Sequence, residues 1–281
     1  MSQTRHLDQG APEGLLEAVG VARVFPAGRG GSPVVAVRDA NISIQSGQRR
    51  ALIGSSGSGK STLLSLLLAA DRPTRGFVRF EGTAVHPRRT SQMRAFRRQV
   101  QFIPQDCAAS LDPRMSVEQL VTDPLRRLKL PGDHQLRARD ALEQVHLPAS
   151  LMAKKRAEIS GGQAQRVAIA RAIAIGPKTL LADEPVSGLD LPLRDQVLSL
   201  LRELSSVRGL GVLLVTHDLD AARALCHDAV VMDHGSLVER GEISRLMDHP
   251  EHAATARLVH SMPRIAPELR DAHREHRGRH S

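Results

Sequence analysis

An α/β fold with a mostly parallel sheet is the class this sequence predicts, and three observations predict it. Short apolar runs of strand length alternate with helical stretches along most of the chain. A glycine-rich loop stands between one such strand and the helix after it. A further buried strand ends in two adjacent carboxylates, which an open parallel sheet places at its functional edge.

Taken in order, residues 1–12 are polar and aperiodic, a flexible N-terminus. Residues 15–24 alternate weakly and read as a strand, the Gly/Pro-rich stretch 26–33 as a loop, and 34–44 as a second strand. Residues 50–53 form a short apolar strand running into the glycine-rich loop, and 61–70 have helical length and strong formers. Residues 77–80 and 100–103 are short strands. From 116 to 156 the pattern is helical and polar-rich, with Pro124, Pro131 and Pro148 expected to break it into pieces. Then come a helix at 164–175, a buried strand at 179–182, a helix at 193–207, a strand at 211–215, a helix at 219–225 and a strand at 229–232. After Pro263 the chain is charged and lacks an apolar face, so 264–281 read as a basic, solvated tail.

The 281 residues suit one large domain, here 13–263, with enough chain to bury a core. A hydrophobic fraction of 41% excludes wholesale disorder. A formal net charge of +9 invites a nucleic-acid reading, yet there is no Trp, no Tyr and only 5 Phe to stack on bases. A membrane surface or an acidic partner fits the charge as well, and no direct nucleic-acid contact is expected. Two cysteines far apart exclude a disulfide scaffold and suit a reducing compartment. The longest apolar run, 63–70, is too short to span a bilayer, and the N-terminus lacks a signal-peptide core. A soluble, cytoplasmic protein is expected.

Gly54-Ser55-Ser56-Gly57-Ser58-Gly59-Lys60-Ser61 matches G-x-x-x-x-G-K-[ST], followed by Thr62 in the new helix. The glycines let successive N–H groups converge on a phosphate, and the helix adds its positive end. Lys60 supplies a point charge for β/γ-phosphates, and Ser61 a hydroxyl ligand for Mg²⁺. The strand at 179–182 leads into Asp183 and Glu184. Asp183 would join the Mg²⁺ shell, and Glu184 would polarise an attacking water.

Four further motifs follow in order, and with them the chain resembles the ATP-binding subunit of an ABC transporter. Ile159-Ser160-Gly161-Gly162-Gln163 is similar to the ABC signature, with Ile for the usual Leu. Gln105 falls where the family has its Q-loop, Ser187-Gly188-Leu189-Asp190 resembles the D-loop, and His217 resembles the switch histidine. The resemblance implies an ABC-type P-loop fold with an antiparallel β subdomain and an inserted helical subdomain at about 106–165. It implies a head-to-tail dimer in which Ser160, Gly161, Gly162 and Gln163 of one subunit complete the ATP site of the other. His217 would contact the γ-phosphate and orient Glu184; Gln105 would reach Mg²⁺ and the water. Adenine stacking in this family uses an aromatic residue before the phosphate loop, and Phe25 is the only candidate.

Residues 105–115 are similar to the Q-D-P-x-x-S-L-N-P-R-M stretch of oligopeptide, dipeptide and nickel importer ATPases, with Cys107 for Pro and Asp112 for Asn. Residues 249–263 resemble that group's H-P-Y-T segment, without its Tyr. The resemblance implies import of a peptide, nickel or related solute through separate permease subunits, served indirectly by a solute-binding protein, with the ATPase peripheral on the inner membrane face. A non-transport ABC ATPase, associated with phosphonate breakdown or nucleic acid, stands as the alternative. The tail histidines define no ligand face, and Cys107 and Cys226 read as inert thiols.

Overall fold

The computed structural model describes residues 15–27, 32–88 and 91–261. The expected flexible N-terminus and the basic tail lie outside the described residues. The chain opens with an antiparallel hairpin of β1 (Leu16–Phe25) and β2 (Val34–Ile44), in register Leu16↔Ile44 and Phe25↔Val34. β3 (Arg49–Ile53) then runs into the glycine-rich loop and α1 (Lys60–Leu67). β4 (Arg75–Phe80) and β5 (Thr83–Val85) form a second hairpin that joins the first, giving one antiparallel sheet of order β2-β1-β4-β5.

α2 (Arg94–Gln99) leads to β6 (Val100–Ile103), and a helical segment of α3 (Val117–Arg127), α4 (His134–Gln144) and two short 3₁₀ turns intervenes before α5 (Gly161–Ile173). The remainder alternates β7 (Thr179–Asp183), α6 (Leu191–Arg208), β8 (Gly211–Thr216), α7 (Leu219–Leu225) and β9 (Asp228–Asp233). It closes with β10 (Ser236–Glu242), α8 (Ile243–Asp248) and α9 (Ala253–His260). The second sheet has the order β10-β9-β3-β8-β7-β6, parallel from β9 to β6 with β10 antiparallel at one edge.

Side-chain alternation explains why these central strands are apolar throughout. Ala51, Ile53, Leu180, Ala182, Val212, Leu214, Ala229 and Val231 pack on the face shared with α3 to α7. Leu52, Leu181, Leu213, Val215, Val230 and Met232 alternate with them and pack on α1 and the antiparallel sheet. A parallel sheet covered on both faces needs apolar residues at both parities. All five parallel strands therefore deliver their carboxyl ends to one edge, where the phosphate loop begins.

One expectation is corrected. Pro124 does not break a helix; it lies inside α3. The capping box of Ser116 and Gln119 starts that helix, and Val117, Leu120, Val121 and Leu125 bury one face. Packing of that face offsets the roughly 3 kcal/mol that an internal proline costs. Pro131 and Pro148 do fall between pieces. The short elements β5, α2, β10, α8 and α9 escape sequence periodicity. In α2 no residue is fully buried, and its tie to the sheet is Phe96 edge-on to Phe80, with ring centres 5.9 Å apart. Among the described residues no helix is long and apolar enough to cross a membrane.

Candidate active site

The phosphate loop is shaped by what surrounds it. A Cβ at Gly54 would sit 2.3 Å from the Met232 carbonyl oxygen, so the strand end and β9 meet backbone to backbone. Gly59, the N-cap of α1, has φ +108°, and a Cβ there would lie 2.3 Å from the Ala36 carbonyl oxygen. Gly235 N donates to Ser58 O at 2.8 Å, stitching the β9–β10 turn to the loop. Ser55, Ser56 and Gly57 are exposed at the mouth, while Ser58 is buried with its hydroxyl unpartnered.

Lys60 is buried and donates to the carbonyl oxygens of Gly54 at 2.7 Å and Ser55 at 2.8 Å. Burial pulls its pKa below the usual lysine value, and the carboxylates of Glu184 and Asp183 partly offset this. Asp183 is pushed above the usual carboxylate range, first by burial, then by its neighbour Glu184, with Lys60 opposing. A half-buried carboxylate pair facing one ammonium is short of positive charge.

Glu184 sits one residue past β7, with φ +46°, and its N–H extends the ladder by donating to Val215 O at 2.8 Å. That left-handed backbone is sparsely populated by side-chain-bearing residues and turns the carboxylate toward the cleft. His217 Nδ1 donates to Glu184 Oε1 at 2.6 Å; a carboxylate can only accept, which sets the tautomer. Gln105 Nε2 makes a longer contact of 3.5 Å to Glu184 Oε2. Ser55, Ser56, Gly57, Gly59, Lys60, Ser61, Thr62, Gln105, Asp183, Glu184 and His217 all line one cleft of about 880 Å³.

Other expected residues lie elsewhere. Ser160 caps α5, its hydroxyl accepting from Gln163 N at 3.2 Å while Gln163 Oε1 accepts from Ser160 N at 3.0 Å. Gly161 and Gly162 form the first turn, whose N–H groups have no carbonyl partner within the helix. None of these four lines the cleft, and neither does Asp190, which caps α6 by accepting from Leu193 N at 2.9 Å. Phe25 is also absent from the lining; it stands beside Val34, its cross-strand partner, which does line it. Cys107 and Cys226 are buried, and burial raises both thiols, Cys107 to about 11.

Motif reading missed the residues that hold the motifs in place. Gln165 of α5 is buried and donates to Pro185 O, directly after Glu184. Arg194 pairs with Asp218 at 2.7 Å, and Asp218 caps α7 beside His217. His234, Arg38 and Leu258 line the outer cleft. Leu258 lies inside the 249–263 segment and Asp218 directly follows His217, so these two alone stood near a sequence signal.

A glycine-rich phosphate loop facing a carboxylate–histidine pair across one cleft, at the carboxyl edge of a parallel sheet, defines a P-loop nucleoside triphosphatase. The chain belongs to the ABC transporter family, which it matches over residues 37–187. It is 41% identical over 218 residues to the nickel import ATP-binding protein NikE of Brucella abortus, a match spanning 76% of this chain and 82% of that one. It is 37% identical over 260 residues to the putative oligopeptide transport ATP-binding protein YkfD of Bacillus subtilis, spanning 92% of this chain and 79% of that one. Among solved structures, it superposes on the ATP-binding cassette MJ0796, a dimeric post-hydrolysis state bound to ADP and Pi, with a TM-score of 0.72. Identity there is 28%, over 81% of this chain and 98% of that one. The cbiO1 protein of Clostridium perfringens, part of the transporter complex cbiONQ, gives a TM-score of 0.75 at 28% identity, over 85% of this chain and 92% of that one. The protein is accordingly an ATPase of the ABC class.

Proposed function

We propose that this chain is the ATP-hydrolysing subunit of an importer, working as one half of a cassette dimer on the inner face of a membrane and driving a peptide, nickel or related solute through separate permease subunits. The observation that carries the reading is Glu184 held by His217 at 2.6 Å across the cleft from the Lys60 loop. The relatives named for nickel import and oligopeptide transport support the importer assignment.

In this reading the loop N–H groups from Ser55 to Thr62 and the Lys60 ammonium hold the β- and γ-phosphates. Lys60 would exchange its two carbonyl contacts for phosphate oxygens. Ser61, Asp183 and Gln105 offer hard oxygen donors in one cleft, the donor chemistry that Mg²⁺ takes together with phosphate oxygens. When bound, Mg²⁺ neutralises charge building on the phosphate oxygens. The carboxylate pair of Asp183 and Glu184, short of positive charge, fits such a cation.

Glu184 orients the attacking water and accepts its proton as the water oxygen bonds to the γ-phosphorus and the bond to the β–γ bridging oxygen breaks. His217 keeps the carboxylate aimed and would contact the γ-phosphate. Ser160, Gly161, Gly162 and Gln163 do not line their own cleft, and in this reading they serve a second ATPase subunit, like or unlike, with Asp190 near the shared seam. Closure around ATP and reopening after hydrolysis would pass through the helical segment at about 106–165 to the permease. Co-purification with a membrane permease, together with phosphate release stimulated by that permease, tests the assignment. A chain that hydrolyses ATP but neither binds nor responds to any permease encoded beside it would overturn the transport half.

A further inference from the structure

The carboxylate–histidine pair closes a ring that no motif describes. From Glu184 the chain turns tightly, with Ser187 N donating to Glu184 O at 3.1 Å and Leu189 N to Val186 O at 3.3 Å, and reaches Asp190 at the start of α6. Arg194 lies in the opening turn of that helix, its N–H donating to Asp190 O at 2.9 Å. Its side chain crosses to Asp218, the cap of α7, which directly follows His217. His217 Nδ1 returns to Glu184 Oε1 at 2.6 Å. Resting on the reading of Glu184 as the base, we propose that Arg194 is a positioning residue for hydrolysis: through Asp218 it fixes the start of α7 and so keeps His217 on Glu184.

The contact has the geometry of an orienting clamp. Arg194 Nη1 meets Asp218 Oδ2 at 2.7 Å and Nη2 donates to Oδ1 at 3.2 Å, a two-pronged grip that sets the plane of the carboxylate. The two side chains are only 17% and 33% exposed, so water competes weakly for the pair. Asp218 Oδ1 also accepts from Ala221 N at 3.0 Å, and Asp218 N donates to the hydroxyl of buried Thr216 at 3.0 Å. The backbone on both sides of His217 is thus tied, to β8 behind and to α7 ahead. Arg194 fastens that turn to α6.

Local stability does not account for this arginine. A cation in the opening turn opposes the dipole of its own helix, whereas an acid at the start of α7 is favoured. The favourable partner of Arg194 therefore lies on another element. The two helices also have other ties. Val197, Leu198, Leu201, Ala221, Ala222 and Leu225 share one apolar core, and Arg202 donates to Ala224 O farther along α6. What the Arg194–Asp218 pair adds lies at the cleft end, beside the imidazole.

Hydrolysis kinetics test the role, in the assembly that gives wild type its activity, with Arg194→Met, Asp218→Asn and His217→Ala, and with each of the first two combined with His217→Ala. Arg194→Met keeps the aliphatic stem and loses the grip. Its kcat should fall about tenfold while KM for ATP stays within about twofold, because a misaimed base costs rate more than binding. Asn still caps a helix, so Asp218→Asn should lose a similar factor, and it takes the place of Arg194→Met throughout if that chain fails to fold. On top of His217→Ala, either substitution should cost less than about twofold more, since the residue it positions is gone. A merely structural role would carry the same tenfold loss into both backgrounds, and that result overturns the proposal. So does an unchanged kcat in either single variant, or a rise in KM that matches the fall in kcat. Wild-type activity in His217→Ala would instead overturn the Glu184–His217 reading beneath it.

Discussion

His217 and Glu184 stand 2.6 Å apart because β7 and β8 are paired in parallel with Asp183 opposite Val215. Glu184 N extends that ladder by one more bond, to Val215 O, placing the carboxylate one residue past its strand and the imidazole two residues past Val215. A slip of one residue would send one side chain to the other face of the sheet. The contact between a carboxylate and an imidazole is thus a consequence of strand register.

Replacing Glu184 with Gln keeps the shape of the cleft and removes the proton acceptor. Phosphate release should fall by about 10²–10⁴-fold while ATP is retained. Steady-state phosphate assays with equilibrium binding check both halves, and hydrolysis at the wild-type rate would refute the assignment of the base.

His217→Ala removes the partner that aims Glu184. The rate of hydrolysis should drop by about 10²-fold, with ATP affinity nearly preserved, because a misaimed base costs rate more than binding. Equal losses in kcat and in affinity would mean that His217 serves binding instead.

Lys60→Ala should weaken ATP at least tenfold, about 1.4 kcal/mol, by removing the only cation among the loop residues. A pH effect accompanies it. The folded pKa of Lys60 lies below its unfolded value of 10.5, chiefly through burial. Between those two values the unfolded chain binds more protons, so stability without nucleotide rises with pH there. Thermal melts across that alkaline window should show the rise in wild type and a smaller one in Lys60→Met.

Asp183 works in the opposite sense. Its folded pKa is raised above 3.8, first by burial and then by Glu184. The stability it contributes is present below pH 3.8 and is lost as pH climbs through the folded value, so at pH 7 the ionised group is a cost. Asp183→Asn should raise the Tm of the nucleotide-free protein at pH 7 while abolishing hydrolysis. Added Mg·ATP should then stabilise wild type more than the variant. A lower Tm for the variant would contradict the argument.

Gly59→Ala should cost about 2–4 kcal/mol, since it places a side chain at φ +108° and 2.3 Å from the Ala36 carbonyl. Urea unfolding measures it. Gly57→Ala, whose Cβ would meet nothing within 4 Å, should cost less even though φ is +76°.

The motifs that bear the chemistry were legible in the chain because each is local. A loop that wraps a phosphate needs Gly54, Gly57, Gly59 and Lys60 at fixed spacing, and Ser160 with Gln163 forms its capping box within one turn. Alternating strands and helices announced the parallel sheet, since both faces of β3, β7, β8 and β9 had to be apolar. The tertiary structure decided what depends on distant residues meeting. It carried α3 through Pro124, because packing of Leu120, Val121 and Leu125 outweighs a lost hydrogen bond. It brought Gln165 to Pro185 and Arg194 to Asp218, pairs with no shared sequence pattern. It also brought Val34 of β2 and Leu258 of α9 to line the same cleft, and set the Arg23 guanidinium over the Phe25 ring. Periodicity reports which face of an element is buried, but not which other element buries it, and the walls of a cleft are built from that second fact.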